Sequence, residues 1–205
     1  MPLTGIILAG GRSSRLGGGD KPWIEIGGQP VIRRLLTVMA PVCQEILISS
    51  SNPQPYGHLG IPIVPDLVPG LGALGGLYSS LCQASHEYAF VVAGDMPFVG
   101  EQAIRCLWSL RQSYDVVLPR SADGRQPLHA LYSRACRQPI REQLKNGHLK
   151  ISSFFPQVRV FELLTASRPD AFEPHQFFNL NTPADITRAL QLAAGTGKTA
   201  VTDNS

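Results

Sequence analysis

Two arginines, a lysine and an aspartate crowd the start of the chain among glycines. Residues 10–21 run Gly-Gly-Arg-Ser-Ser-Arg-Leu-Gly-Gly-Gly-Asp-Lys. The apolar run Ile6-Ile7-Leu8-Ala9 precedes them and predicts a buried first strand. A glycine loop at a strand end lets main-chain N–H groups approach an anion, because no Cβ stands in the way. Arg12, Arg15 and Lys21 add the positive charge that phosphate oxygens require. A Gly-Gly pair alone reads as a surface turn. Strand, five glycines and three cations within about a dozen residues read as a phosphate site.

A second chemical group stands at Asp95. Tyr88-Ala89-Phe90-Val91-Val92-Ala93 is the clearest buried strand in the chain, and Gly94-Asp95-Met96-Pro97 follows it. A carboxylate there, near an anion loop, suits a hard divalent cation that also holds phosphate oxygens. The plain alternative is a helix cap, but the next helical pattern starts some five residues later. Asp66 follows the Ile61–Pro65 strand and precedes Pro69-Gly70, where an Asx-turn would also explain it. Ser49 ends the Glu45–Ser49 strand, so it borders the ligand side of a parallel sheet. Asn179 and Asn181 sit in Asn-Leu-Asn-Thr-Pro, with Thr182 as a helix cap and Pro183 at the first helical position.

These residues carry a resemblance. Leu8-Ala9-Gly10-Gly11-x-Ser13-x-Arg15-x-Gly17, then Asp20-Lys21, then Gly28-x-Pro30, is similar to the signature of nucleotidyltransferases with a glycosyltransferase-A-like fold. The short chain and the Gly17–Lys21 stretch most resemble the molybdenum cofactor guanylyltransferase (MobA) family. The resemblance implies transfer of GMP from GTP to molybdopterin, forming molybdopterin guanine dinucleotide and pyrophosphate. It implies Arg15, Lys21 and Asp95 as catalytic groups, with Mg²⁺ on Asp95 and Mn²⁺ as an alternative. Leu8, Ala9, Gly10, Gly11, Lys21, Ser49, Asp66 and Asp95 would hold GTP. Asn179 and Asn181 would face the pterin. Ser49 stands where that branch often carries Asn, so a polar side chain is kept but an amide is lost. Molybdoenzymes or their chaperones are the partners implied. A cytidylyltransferase, a sugar-phosphate nucleotidyltransferase and a non-catalytic nucleotide-binding regulatory module are the alternatives.

The elements that must position these groups alternate along the chain. Helical patterns are expected at 30–40, 74–84, 101–112, 133–145 and 183–193, with a short one at 149–155. Further strands are expected at 23–26, 115–119, 128–132 and, at an edge, 158–162. The prolines of Ile61–Pro65 place that strand near an edge as well. The alternation predicts an α/β fold: a single-domain three-layer α/β/α sandwich with a mainly parallel, Rossmann-like sheet. The domain is expected over residues 1–194, and the polar 195–205 stretch is expected to be disordered.

Gly70-Leu71-Gly72-Ala73-Leu74-Gly75 matches a dinucleotide fingerprint, with Asp95 twenty residues beyond. Asp66–Pro69 separates it from the preceding strand, and a glycine loop already follows the first strand. In the family reading it is a loop that shapes the nucleotide pocket.

Bulk properties exclude other classes. The 205 residues carry a net charge of +3 with scattered basic residues, which gives no nucleic-acid footprint. No apolar stretch nears the ~20 residues of a membrane span, and no secretory pattern opens the chain. A cytoplasmic protein is the expectation. Cys43, Cys82, Cys106 and Cys136 form no C-x-x-C pair and read as reduced core fillers. The five histidines form no metal-binding spacing and read as surface or structural residues.

Overall fold

The computed structural model describes residues 1–10 and 21–196. Among the described residues eight strands form the main sheet, seven in the order β10-β7-β9-β6-β1-β4-β5 and β8 paired with β7 off that path. They are β1 (Leu3–Leu8), β4 (Glu45–Ser49), β5 (Ile63–Val64), β6 (Tyr88–Ala93), β7 (Val116–Ser121), β8 (Gly124–Arg125), β9 (His129–Ser133) and β10 (Val160–Leu164). The hairpin β2 (Glu25–Ile26) and β3 (Gln29–Pro30) stands apart. Pairings β1–β4, β1–β6, β4–β5 and β7–β10 are parallel. Strand β9 runs antiparallel to β6 and β7, so the expected mainly parallel α/β sheet is present with an antiparallel insertion.

Alternation along β1 builds two cores. Leu3 and Ile7 join a cluster with Val31, Ile32, Leu35, Ile104, Leu107 and Ala189. These come from α1 (Val31–Met39), α3 (Glu101–Ser109) and α5 (Pro183–Thr196). Ile6 and Leu8 point the other way, to Leu74, Leu77, Leu81 and Ile140 of α2 (Gly72–Gln83) and α4 (Arg137–Lys145). Period-2 side-chain alternation in a sheet covered on both faces favours apolar residues, and all six β1 residues are buried, the one polar side chain, Thr4, donating to Glu45 Oε2. The result is the three-layer arrangement.

Several boundaries differ from the sequence expectation. Trp23 is not in a strand: Lys21–Trp23 forms a single 3-10 turn, and only Glu25–Ile26 pairs, across Gly27-Gly28. Both glycines have positive φ, 62° and 76°, which makes that turn possible. Pro30 ends β3 and α1 starts one residue later. Helix α3 stops at Ser109 and continues as a separate 3-10 turn, Arg111–Ser113. A 3-10 turn, Arg134–Cys136, precedes α4, with Ser133 Oγ accepting from Ala135 N. The 149–155 helix is a 3-10 helix at Ile151–Gln157. Helix α5 continues through Gly195 to Thr196, two residues past the expected break, and 197–205 lie outside the described residues. Cys43, Cys106 and Cys136 are buried, Cys82 is half-buried, and all four are free. No helix among the described residues is long and apolar enough to cross a membrane.

Candidate active site

The register places four strand ends in one row. Leu8 lies opposite Ser49 on one side and Ala93 on the other, and Ser49 lies opposite Val64. From β1 the chain runs outward to β4 and β5, then crosses back to β6 on β1's other flank. The crevice of a parallel sheet opens where the order reverses in this way. Residues 10, 50, 65–66 and 94–95 therefore leave the sheet side by side.

On the β6 side, Asp95 meets Lys21. Lys21 Nζ donates to Asp95 Oδ2 at 2.9 Å and to Asn181 Oδ1 at 2.8 Å. The two charged side chains keep 23% and 18% of their exposure, so the pair faces a cleft rather than the core. Three segments far apart in sequence supply these groups, and main-chain bonds fix their approach. Gly94 N donates to Leu8 O at 2.9 Å, and Leu180 N donates to Asp95 O at 3.0 Å. A Cβ on Gly94 would lie 2.9 Å from Pro22 Cγ, 3.2 Å from Leu8 O and 3.3 Å from Ala9 Cα. Only glycine lets β6 end this close to β1 and to the Lys21 turn. Arg34 of α1 holds the far side of that loop, donating from Nε to Pro97 O and from Nη1 to Ile26 O.

Asn181 is not spent on capping. Thr182 and Asp185 cap α5 reciprocally: Asp185 N donates to Thr182 Oγ1, and Thr182 N donates to Asp185 Oδ2. The cap holds Asp185's carboxyl below its usual range, through the Thr182 hydroxyl first, despite some desolvation. The side chain of Asn181 is thus free to accept from Lys21. Asn179 instead closes a local turn, donating from Nδ2 to Phe177 O. Both asparagines line a cavity of about 730 Å³, together with Phe177, Phe178, His175 and Arg188. Arg188 of α5, not anticipated from sequence, lies 5.7 Å over the Phe178 ring. Its position inside a helix gave no motif to find it by.

On the β4–β5 side the groups meet through close packing. A Cβ on Gly76 of α2 would lie 2.8 Å from Ser49 Oγ and 3.5 Å from both Asp66 Oδ1 and Leu8 Cδ2. Leu8, Ser49 and Asp66 therefore converge on one helix glycine. Ser49 is buried, and its main-chain O accepts from Ala9 N at 2.9 Å. Gly10 is exposed just beyond. Partial burial pushes the Asp66 carboxyl above its usual range. The glycine-rich 70–76 stretch is accordingly no dinucleotide fingerprint: β5 ends at Val64 and α2 begins at Gly72. Its last glycine admits the helix to the cleft wall instead.

Against Phe177, two residues before Asn179, lies His129 of β9, which the sequence assigned no site role. It is fully buried between Phe90 and Phe177, at ring distances of 5.2 and 5.1 Å. Neither ring nitrogen has a hydrogen-bond partner among the described residues. Burial lowers its pKa to about 3, so the ring is neutral.

Of the sequence candidates, Leu8, Ala9, Gly10, Lys21, Ser49, Asp66, Asp95, Asn179 and Asn181 are gathered around this cleft. Gly11 and Arg15 lie outside the described residues, as do Arg12 and Asp20. Among the described residues no three His, Cys, Asp or Glu side chains cluster as a metal cage. Asp95 Oδ1, opposite the oxygen held by Lys21, has no partner among them. A lone carboxylate fits Mg²⁺, which commonly takes one or two carboxylates and completes its shell with water and substrate phosphates.

A crevice at the reversal of a parallel sheet, with a lysine–aspartate pair and a glycine loop, defines a nucleotide-handling α/β protein. The chain belongs to the MobA-like NTP transferase domain family, whose model matches residues 5–159. A relative from Pelotomaculum thermopropionicum, described as a probable molybdenum cofactor guanylyltransferase, is 39% identical over 94% of each chain. A molybdenum cofactor guanylyltransferase from Desulfosudis oleivorans is 34% identical over 91% of this chain and 94% of its own. Molybdopterin-guanine dinucleotide biosynthesis protein A from Archaeoglobus fulgidus shares the fold, with a TM-score of 0.81 at 23% identity over 94% of this chain and 99% of that one. A 2-C-methyl-D-erythritol 4-phosphate cytidylyltransferase from Thermus thermophilus shares it at a TM-score of 0.70 and 18% identity, over 95% and 100%.

Proposed function

We propose that this chain transfers GMP from GTP to molybdopterin, forming molybdopterin guanine dinucleotide and releasing pyrophosphate. The observation that carries the reading is Lys21 bridging Asp95 to Asn181, which with Asn179 lines the neighbouring cavity. One lysine then touches both the strand-end carboxylate and an asparagine of that cavity. Relatives with guanylyltransferase names, aligned over nearly the whole chain, support the same choice of donor and acceptor.

The donor base would lie over Leu8, Ala9, Gly10 and Ser49, against Gly76 and Asp66. Main-chain N–H groups of the 10–19 loop would hold the phosphates, with Arg15 and Lys21 offsetting charge at the α-phosphate. Asp95 would hold Mg²⁺, which when bound neutralises phosphate charge and withdraws electrons from the α-phosphorus. The acceptor's phosphate monoester would lie in the cavity beside Asn179 and Asn181. One of its oxygens bonds to the α-phosphorus, the bond from that phosphorus to the bridging oxygen of the β-phosphate breaks, and the electron pair leaves with pyrophosphate. The nucleophile is already anionic, so no general base is required. Rate comes from positioning and electrostatics. Reaction in the cytoplasm and delivery of the product to molybdoenzymes or their chaperones complete the proposal.

Pyrophosphate release with Mg²⁺ tests it, pairing GTP, CTP, ATP and UTP with molybdopterin and with glucose 1-phosphate. Release with GTP and molybdopterin alone is expected. Release with CTP, or with the sugar phosphate, would move the chain to another branch of the fold. GTP binding without release under any pairing would make it a regulatory nucleotide-binding module.

A further inference from the structure

Helices α2 and α4 cover the sheet face opposite α1, α3 and α5, and between them lies a feature the transfer reaction does not use. Arg134, Arg137, Arg141 and Lys145 follow each other at spacings of three, four and four, so they share one face of α4 and the turn leading into it. None of them pairs with an acid among the described residues, whereas Arg105, Arg120, Arg125, Arg159 and Arg168 all do. The nearby carboxylate of Glu142 accepts from Gln138 instead. Arg134 Nε is buried with no hydrogen-bond partner. Like charges at helical spacing repel one another. Arg137 Nε donates to the Arg134 carbonyl, but the row has no anionic partner among the described residues.

Beside the row runs an apolar cleft of about 400 Å³, floored by Val68, Leu71, Tyr78 and Leu144 and edged by Arg141 and Lys145. A shallow depression shares Tyr78 and Arg141 with it and extends to Cys82, Arg137 and Arg134. Leu67 and Val68 stand 58% and 55% exposed at the cleft's end. The two parts form one groove with an apolar floor and a cationic wall.

We propose that this groove docks an acidic amphipathic helix of a partner protein, its apolar face on Val68, Leu71 and Leu144 and its carboxylates along Arg137, Arg141 and Lys145. Charge complementarity selects this occupant, and the helix-in-groove mode uses both walls. The cationic wall from Arg137 to Lys145 spans about 12 Å at the helical rise, which matches two to three turns of a partner helix. In a second copy of the chain, Glu101, Asp115, Glu162 and Asp170 are paired internally and Asp185 caps α5, so these five acids offer the groove no free carboxylate. Single-stranded nucleic acid would find the cations but only Tyr78 to stack on, against exposed aliphatic side chains.

The probe is a fluorescent two-heptad helical peptide of Leu and Glu, followed by anisotropy on the full chain. Controls are the same peptide with every Leu replaced by Ser, and a uridine 16-mer RNA. The Leu/Glu peptide is expected to bind, to weaken as salt rises, and to lose at least tenfold in affinity with the Arg137→Glu/Arg141→Glu pair and with Val68→Asp. Val68 is exposed, so the second variant keeps the test valid if the double one misfolds by circular dichroism. Pyrophosphate release should be unchanged in both variants, since neither touches the cleft at the strand ends. Absence of binding, equal binding by the variants, or equal binding of the serine peptide or the RNA would overturn the proposal.

Discussion

The two flanks of the strand-end crevice are built differently. On the β6 side, Lys21, Asp95 and Asn181 meet through short polar contacts between segments 74 and 160 residues apart. On the β4–β5 side, Leu8, Ser49 and Asp66 meet by steric approach to Gly76, and Asp66 has no polar partner among the described residues. The first flank is arranged for charge, the second for shape. That division matches a phosphate ester with a base at one end: charge stabilisation belongs where bonds break, and close walls belong where a flat ring must fit.

The largest expected effect breaks the charged flank. Asp95→Ala should lower kcat for pyrophosphate release by roughly a thousandfold, and Lys21→Ala by roughly a hundredfold or more. Thermal melting should change far less than kcat in either, because the pair lies in a cleft that keeps it partly open to water. Normal kcat in Lys21→Ala would remove the lysine from the reaction and with it the contrast between the flanks.

A smaller effect should mark the other flank. Gly76→Ala places a methyl among Leu8, Ser49 and Asp66. KM for the nucleotide should rise about tenfold, the cost of roughly 1.4 kcal/mol of lost fit, while kcat holds. A fall in kcat with unchanged KM would mean that this wall touches the reacting phosphates instead.

His129 sharpens the contrast from below. Phe177, whose carbonyl accepts from Asn179, packs on an imidazole kept neutral by burial. Its folded pKa is about 3, below the unfolded value near 6.5, so the unfolded chain binds the extra proton first. The stability it leaves intact above pH 6.5 is lost as pH falls toward 3, at up to about 1.4 kcal/mol per pH unit. His129→Leu should therefore flatten the loss of denaturant stability between pH 6.5 and 4.5 by about 2 kcal/mol. An identical acid limb in both proteins would assign that limb to other groups.

The smallest effect concerns Asp66. Burial raises its pKa, so its charge is lost earlier on acidification than that of an exposed aspartate. Asp66→Asn should change nucleotide KM only a few-fold near neutrality, and the gap to the native enzyme should close as pH falls. A gap that widens in acid would contradict the direction of the shift.

The sequence by itself determined the α/β alternation, the first strand to within a residue of its end at Leu8, the strands that end at Ser49 and Ala93, the cap at Thr182-Pro183, and Lys21 and Asp95 as candidate site residues, with Asn181 added by the family resemblance. Those are local signals: apolar period, glycine and proline punctuation, and residue type at a strand end. Only the tertiary structure decided what these residues do to one another. Asn181 accepts from Lys21 because the Thr182–Asp185 exchange already satisfies the helix end, a competition no local pattern records. Gly94 and Gly76 matter because neighbouring elements approach within contact distance of a missing Cβ, and such approach depends on strand order and register. Strand β9, with His129, lies antiparallel between β6 and β7, which its alternation alone could not specify, since period 2 gives a strand its faces but not its neighbours or direction.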